Sequence, residues 1–248
     1  MPYELLVDLY KDTMRQGPGG VTETLKALSF IPSLGNDQTI LDVGCGTGAQ
    51  TEVLAIHTPC YIVAVDIMPE FLEKLTQRIK KLNLSERVST VVAPMDQMPF
   101  ENESFDMIWA EGSIYIMGFE EGFRQWKRLL KPGGYMAVSE ISWLTAERPP
   151  EVNDYWKKEY SLIDSISNKT EQILRSGYLP IAHFILPEKC WIDNYYSSVS
   201  QQKDAFLQKH CFSPLSSDLV KSLEEEIDFY MKYKQYYGYV FYIAQKID

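Results

Sequence analysis

Between residues 39 and 143 the chain switches repeatedly from short apolar runs to amphipathic stretches and back. TILDV (39–43), YIVAVD (61–66), RVSTVVA (87–93), FDMIWAEG (105–112) and YMAVSEISW (135–143) have the length and residue types of strands. Residues 47–56, the run from Pro69 to about Leu82, and GFEEGFRQWKRLL carry helical spacing, with Pro69 suited to a first helical turn. YIVAVD is apolar on both faces, as a parallel strand covered on each side must be. Strands that alternate with helices need right-handed crossovers, so this segment predicts an α/β fold built on a mostly parallel, doubly wound sheet.

The flanks extend that plan. Residues 2–15 predict an amphipathic helix stopped by RQGPGG, and Val21 to Leu28 a second helix. After Trp143 the spacing predicts helix over 151–176, a strand at LPIAHFILP (179–187), mostly helix over 194–235, and a closing strand in YYGYVFYIAQK entered through Gly238. The expectation is one domain over 1–248: a helical cap at 1–30, a core at 37–143, lid helices with a sixth strand at 144–237, and a last strand at 238–247. The additions at 144–177 and 188–237 should cover the C-terminal edge of the sheet, where ligands bind in open α/β folds.

Charge and cysteine usage narrow the function classes. A net charge of -10 over 248 residues disfavours non-specific binding to nucleic acid or to an acidic membrane surface, which needs a basic face. The local cluster KRLLK reads as the solvated last turn of a helix. The four cysteines form no C-x-x-C pair and the three histidines are scattered, so no metal site is expected. Free thiols suit a reducing compartment, and the first residues carry charge throughout rather than a signal-peptide pattern. His57 and Pro59 interrupt the most apolar stretch well short of a membrane span. A cytoplasmic protein is the expectation, with its oligomeric state left open.

The loop LDVGCGTGAQ (41–50) lies where the first strand passes into its helix. Gly44, Gly46 and Ala49 satisfy the relaxed dinucleotide pattern G-x-G-x-x-G/A, while Gly44, Gly46 and Gly48 preceded by Asp42 satisfy a second nucleotide-cofactor pattern. Asp66 ends the second strand about twenty residues on, where a carboxylate accepts hydrogen bonds from ribose hydroxyls under either pattern. Other acids separate the two. Asp42 lies in the first strand, Asp96 follows the third and Glu111 ends the fourth. Carboxylates repel a pyrophosphate and attract an ammonium or sulfonium, so the set favours a cationic cofactor.

ILDVGCGTG, VAVDIMPEFL, MDQMPF, FDMIWAEGSIY and LKPGGYMAVSE together resemble the class I S-adenosylmethionine-dependent methyltransferases, in particular the type 11 group related to quinone C-methyltransferases. The motifs run over about residues 37–143 in the family's order, and flanks such as RQGPGG and ILPEKCW are similar to those of a small set of bacterial methyltransferases. The resemblance implies a Rossmann-like seven-stranded sheet, mostly parallel with an antiparallel last strand, plus a helical lid. It implies S-adenosylmethionine as cofactor and S-adenosylhomocysteine as product. Asp42, Gly44, Cys45, Gly46 and Gly48 would line the methionine portion, Asp66 and Ile67 the ribose and adenine, and Met95, Asp96 and Gln97 the adenine ring. Glu111, Gly112 and Ser113 would sit near the amino acid end or the methyl exit. Arg15, with Gly17 in RQGPGG, would close over the cofactor and pair with its carboxylate. Cys45 is assigned to packing.

Methyl transfer needs a base only if the acceptor must lose a proton. Glu111, Tyr115 and Glu140 are the candidates, with His183 a weaker one in the lid strand. The aromatic-rich lid and the acidic balance predict a small-molecule acceptor, whether amine, phenol or quinone-like, and no nucleic acid or membrane partner. A non-enzymatic sensor of the same cofactor is the alternative, and an NAD-dependent oxidoreductase a remoter one.

Overall fold

The computed structural model describes residues 3–247. Two short helices come first, α1 (Tyr3–Tyr10) and α2 (Val21–Leu28). The expected alternation follows as β1 (Thr39–Val43), α3 (Ala49–His57), β2 (Tyr61–Asp66), α4 (Pro69–Lys81), β3 (Val88–Val92), β4 (Phe105–Glu111), α5 (Phe119–Trp126) and β5 (Leu130–Trp143). The remainder comprises α6 (Pro150–Glu159), β6 (Asp164–Ser165), α7 (Ile166–Arg175), β7 (Tyr178–Ile185), α8 (Lys189–Trp191), a π-helical turn (Ile192–Tyr196), α9 (Ser197–Ser200), α10 (Lys203–Lys209), α11 (Pro214–Tyr233) and β8 (Tyr237–Lys246).

The sheet runs β3-β2-β1-β4-β5-β8-β7, with β6 paired to β5 off that path. β1 pairs in parallel with both β2 and β4, and β8 is antiparallel to both β5 and β7. The antiparallel last strand is thus inserted between its neighbours, and the strand order reverses direction at β1, where open α/β sheets place their ligands. Apolar clusters fill both faces: Leu54, Leu72 and Leu75 with Trp109 and Phe241 on one, Phe119, Phe123 and Trp126 with Ile108 and Tyr242 on the other. A third cluster joins α1 to the lid through Leu9, Trp143, Trp191, Tyr195 and Tyr230.

Four local expectations are corrected. The predicted first helix stops at Tyr10, because the Tyr10 carbonyl accepts from the Thr13 hydroxyl (2.7 Å) and the Gln16 amide (3.3 Å), which turns 11–20 into an irregular strap. Its predicted first residue, 2, lies outside the described residues. The helix over 151–176 is broken by β6, where Ser165 caps α7 by accepting from the backbone N–H of Asn168 (3.2 Å). The strand predicted over 135–143 starts earlier, at Leu130, and takes in KPGG as a bulge between the pairs Phe105 with Leu130 and Met107 with Tyr135, with Gly133 at φ +71°. The sheet has eight strands rather than seven, the extra one being the two-residue β6. No helix among the described residues is long and apolar enough to cross a membrane.

Candidate active site

The C-terminal ends of β1, β2 and β4 open into a cavity of about 550 Å³, within the range for small-molecule sites. Its floor is the glycine loop. Gly44, Gly46 and Gly48 all sit in the left-handed region, at φ +68°, +56° and +86°. That backbone lets the N–H groups of Gly44 and Cys45 both donate to the Val65 carbonyl (2.8 and 3.0 Å), tying the loop to β2. The missing side chains also serve protein contacts. A Cβ on Gly44 would strike Ser113, whose hydroxyl donates to the Val43 carbonyl (2.7 Å), and a Cβ on Gly46 would strike the Gln16 amide.

Asp66 closes β2 with each carboxylate oxygen backed by a backbone donor. The N–H of Gly46 donates to Oδ2 and that of Met68 to Oδ1, both at 2.9 Å. Burial raises its pKa above the usual carboxylate value, and these two donors work against that rise. Asp42 is fully buried behind the loop, where the Thr51 hydroxyl (2.6 Å) and the Gln50 amide (3.2 Å) donate to it from the first turn of α3. Burial pushes its pKa up to about 7 despite those donors. Burial likewise pushes the Cys45 thiol well up, which leaves it a packing group rather than a thiolate.

The strap crosses the cavity and is fastened at several points. The Gln16 amide oxygen accepts from the backbone N–H of Thr47 (2.9 Å), and its nitrogen donates to the Thr47 hydroxyl (3.1 Å). Arg15 donates through Nη2 to Glu111 Oε2, forming an ion pair with side chains 9% and 2% exposed. The other oxygen of Glu111 accepts from Thr24 Oγ1 (2.7 Å) and Trp109 Nε1 (2.9 Å). Asn194 donates to the Gly19 carbonyl (2.7 Å), which ties the strap to the lid.

Among the sequence-predicted residues, Arg15, Gly17, Gly44, Cys45, Gly46, Asp66, Ile67, Met95, Asp96, Glu111, Gly112, Ser113 and Tyr115 line this cavity. Asp42, Gly48, Gln97 and Glu140 do not. Gly48 faces Leu75 of α4, and Asp42 faces α3. Glu140, a candidate base, is out of reach of an acceptor: it is 0% exposed and pairs with Lys169 of α7 at 3.1 Å, also 0% exposed. Glu111 is not a carboxylate with open valence either, since three donors hold it. Gln16, Gln50, Met68, Phe71, Ile116, Met117, Glu121 and Gln125 also line it, although none of them is among the predicted site residues. Of the charged lining residues, Arg15 is the single cation, against the carboxylates Asp66, Asp96, Glu111 and Glu121.

Residues 41–138 match the family model described as Methyltransferase domain. The sterol 24-C-methyltransferase of Candida albicans is 32% identical over 132 residues, which are 53% of this chain and 35% of that protein. The methyltransferase GfsG of Streptomyces halstedii is 34% identical over 103 residues, 41% of this chain and 37% of that protein. The chain therefore spans little more than a third of the length of these curated relatives. A solved structure, the SAM-dependent methyltransferase from Geobacter sulfurreducens in complex with S-adenosyl-L-homocysteine, superimposes with a TM-score of 0.83 over 98% of each chain. At 17% identity that likeness shows the fold.

Proposed function

We propose that the chain carries a class I S-adenosylmethionine-dependent methyltransferase domain of the type 11 group and transfers a methyl group from S-adenosylmethionine to a small-molecule acceptor, an amine, phenol or quinone-like compound. One observation carries the reading: four carboxylates and one already-paired cation line the cavity, a setting that repels a pyrophosphate and suits a sulfonium. In the same reading the cap, core, lid and last strand act as one domain.

The residues present fit that donor. Asp66, pre-set by two backbone donors, would accept from the ribose hydroxyls, with Ile67, Met95 and Asp96 at the adenine. The open backbone of 44–46 would lie along the methionine portion. Arg15 and Gly17 would meet its carboxylate from the strap, with Glu111 holding Arg15 in place. Bound S-adenosylmethionine supplies a methyl group activated for in-line displacement. The chain's part is to hold the two reactants aligned and to keep water out. Tyr115 lines the cavity next to Gly112 and Ser113, and its phenol is pushed up by desolvation first and by Glu140 and Glu226 second. It therefore stays protonated and would orient an acceptor by donating a hydrogen bond, rather than act as a base. Glu111 and Glu140 are assigned structural ion pairs.

Calorimetry tests the donor assignment. S-adenosylhomocysteine should bind and NAD(H) should not. Binding of NAD(H) alone would overturn the proposal in favour of the oxidoreductase. Label from radioactive methyl donor appearing in a panel of amines, phenols and quinones would separate transfer from sensing.

A further inference from the structure

We propose that this protein has a second ligand site, next to the cofactor cavity along the same strap, and that it takes a small molecule bearing a diphosphate group.

A separate cavity of about 400 Å³ lies between the first residues of the strap, the start of α3 and one face of α4. Its charge balance is the reverse of that around the glycine loop. Lys11, Lys74, Arg78 and Lys81 line it, against the two carboxylates Asp12 and Glu52. Acids outnumber Lys and Arg by 34 to 24 in the chain, so a cavity with twice as many cations as acids runs against the average surface. Lys74, Arg78 and Lys81 stand at i, i+4 and i+7 of α4, which brings all three to one face over about 10 Å. A row of that length outreaches a single phosphate and suits two joined ones. Arg78 offers a planar fork for phosphate oxygens, and the lysines offer point charges on either side of it.

The ion pairs already present leave charge to spare. Lys74 pairs with Asp12 at 2.5 Å, but both side chains are open to water, at 38% and 48% exposed, so the pair holds weakly. Arg78 reaches Glu52 only at 3.4 Å. Lys11 pairs with Asp8 at 2.5 Å, yet Asp8 also receives Lys209 and His210 at 2.6 and 3.1 Å. Lys81 is exposed and pairs with no carboxylate among the described residues. A multiply charged anion therefore gains charge-assisted contacts that the resident acids do not supply. The site also stays distinct from the cofactor cavity. Thr13 and Thr47 line the new one, and the Gln16 amide nitrogen donates to both hydroxyls at 3.1 Å while Gln16 itself lines the other.

The experiment titrates sodium pyrophosphate and, separately, inorganic phosphate into the full chain at low ionic strength, with and without S-adenosylhomocysteine, and follows binding by calorimetry. Pyrophosphate should bind at one per chain, about tenfold tighter than phosphate, whether or not S-adenosylhomocysteine is present. Lys81→Gln should weaken it about fivefold and Lys74→Gln/Lys81→Gln about twentyfold, in the range for lost hydrogen bonds between charged groups. Asp12→Asn, which releases Lys74, should tighten it about threefold. Lys221→Gln, at an exposed lysine of α11, should change nothing. Tighter binding of ADP than of pyrophosphate, with S-adenosylhomocysteine present, would assign the diphosphate to a nucleoside ester, and the opposite order to free pyrophosphate. No binding, equal affinity for the two inorganic anions, displacement by S-adenosylhomocysteine, or an equal loss in Lys221→Gln would overturn the site.

Discussion

Replacing Asp42 by asparagine should stabilise this protein at alkaline pH while leaving it little changed in acid. Asp42 is fully buried on β1, and burial holds its pKa near 7 against the pull of the Thr51 and Gln50 donors. In the unfolded chain the same carboxyl titrates near ~3.9. Below that value both states carry the proton and the group costs nothing. As the pH rises, the unfolded chain ionises first, so the stability this residue contributes is full below about pH 4 and lost as the pH climbs through about 7. A rise from ~3.9 to about 7, at ~1.36 kcal/mol per pH unit, amounts to ~4 kcal/mol once the site is ionised. Because ionisation is gradual, roughly 1–2 kcal/mol of that is already lost at pH 5, so the gain from Asp42→Asn should be about 2–3 kcal/mol larger at pH 8 than at pH 5. Asparagine keeps both partners, accepting from Gln50 and donating to the Thr51 oxygen once that hydroxyl turns. Urea denaturation of wild type and variant at the two pH values checks this. An equal effect at both, or a loss at pH 8, would refute the argument that this carboxyl holds its proton in the fold.

Asp66→Ala should weaken S-adenosylhomocysteine binding by roughly 1–3 kcal/mol, the range for losing hydrogen bonds to a charged group, and unchanged affinity by calorimetry would remove Asp66 from the ribose. Gly46→Ala forces a side chain into the left-handed region against Gln16, so it should cost ~1–2 kcal/mol of backbone strain and loosen the strap. Limited proteolysis should then cut within residues 11–20 faster than in wild type. Lys169→Met strands Glu140 without its partner and should lower stability by about 3–5 kcal/mol, with much of that recovered in the double variant Glu140→Leu/Lys169→Met. Denaturation of single and double variants at one pH decides it, and equal stability of the two would show that the pair is not coupled.

Sequence made the glycine loop and Asp66 legible because their task is set by backbone geometry over a few neighbouring positions. The order of apolar and amphipathic runs likewise carries the alternation from β1 to β5. Partner choice across the fold has no such local signature. Lys169 reads as an ordinary lysine on an amphipathic helix, and only the laying of α7 over the sheet brings it to Glu140 at 3.1 Å. Arg15 and Glu111 were each visible as charged residues near the site, yet their pairing depends on where the strap crosses β4. Gln16 sits inside RQGPGG but carries no signal of its own, because its role is to fill the space that Gly46 leaves. The KPGG bulge was hidden for the opposite reason: its residues signal a turn so strongly that a strand passing through them is not suggested.

The position of β8 bears on how the chain is made. Tyr237–Lys246 pairs with β5 from Tyr135 to Trp143 on one side and with β7 on the other, so the last strand in order is an interior member of the sheet. While the ribosome is still holding those residues, β5 keeps a nine-residue edge without a partner, and Val138 and Ile141 lack part of their cover. Such an edge is a template for pairing with another nascent chain. Translation pausing or truncation shortly before Tyr237 would therefore leave β1 to β5 paired but the β5 edge open and β7 without any strand partner.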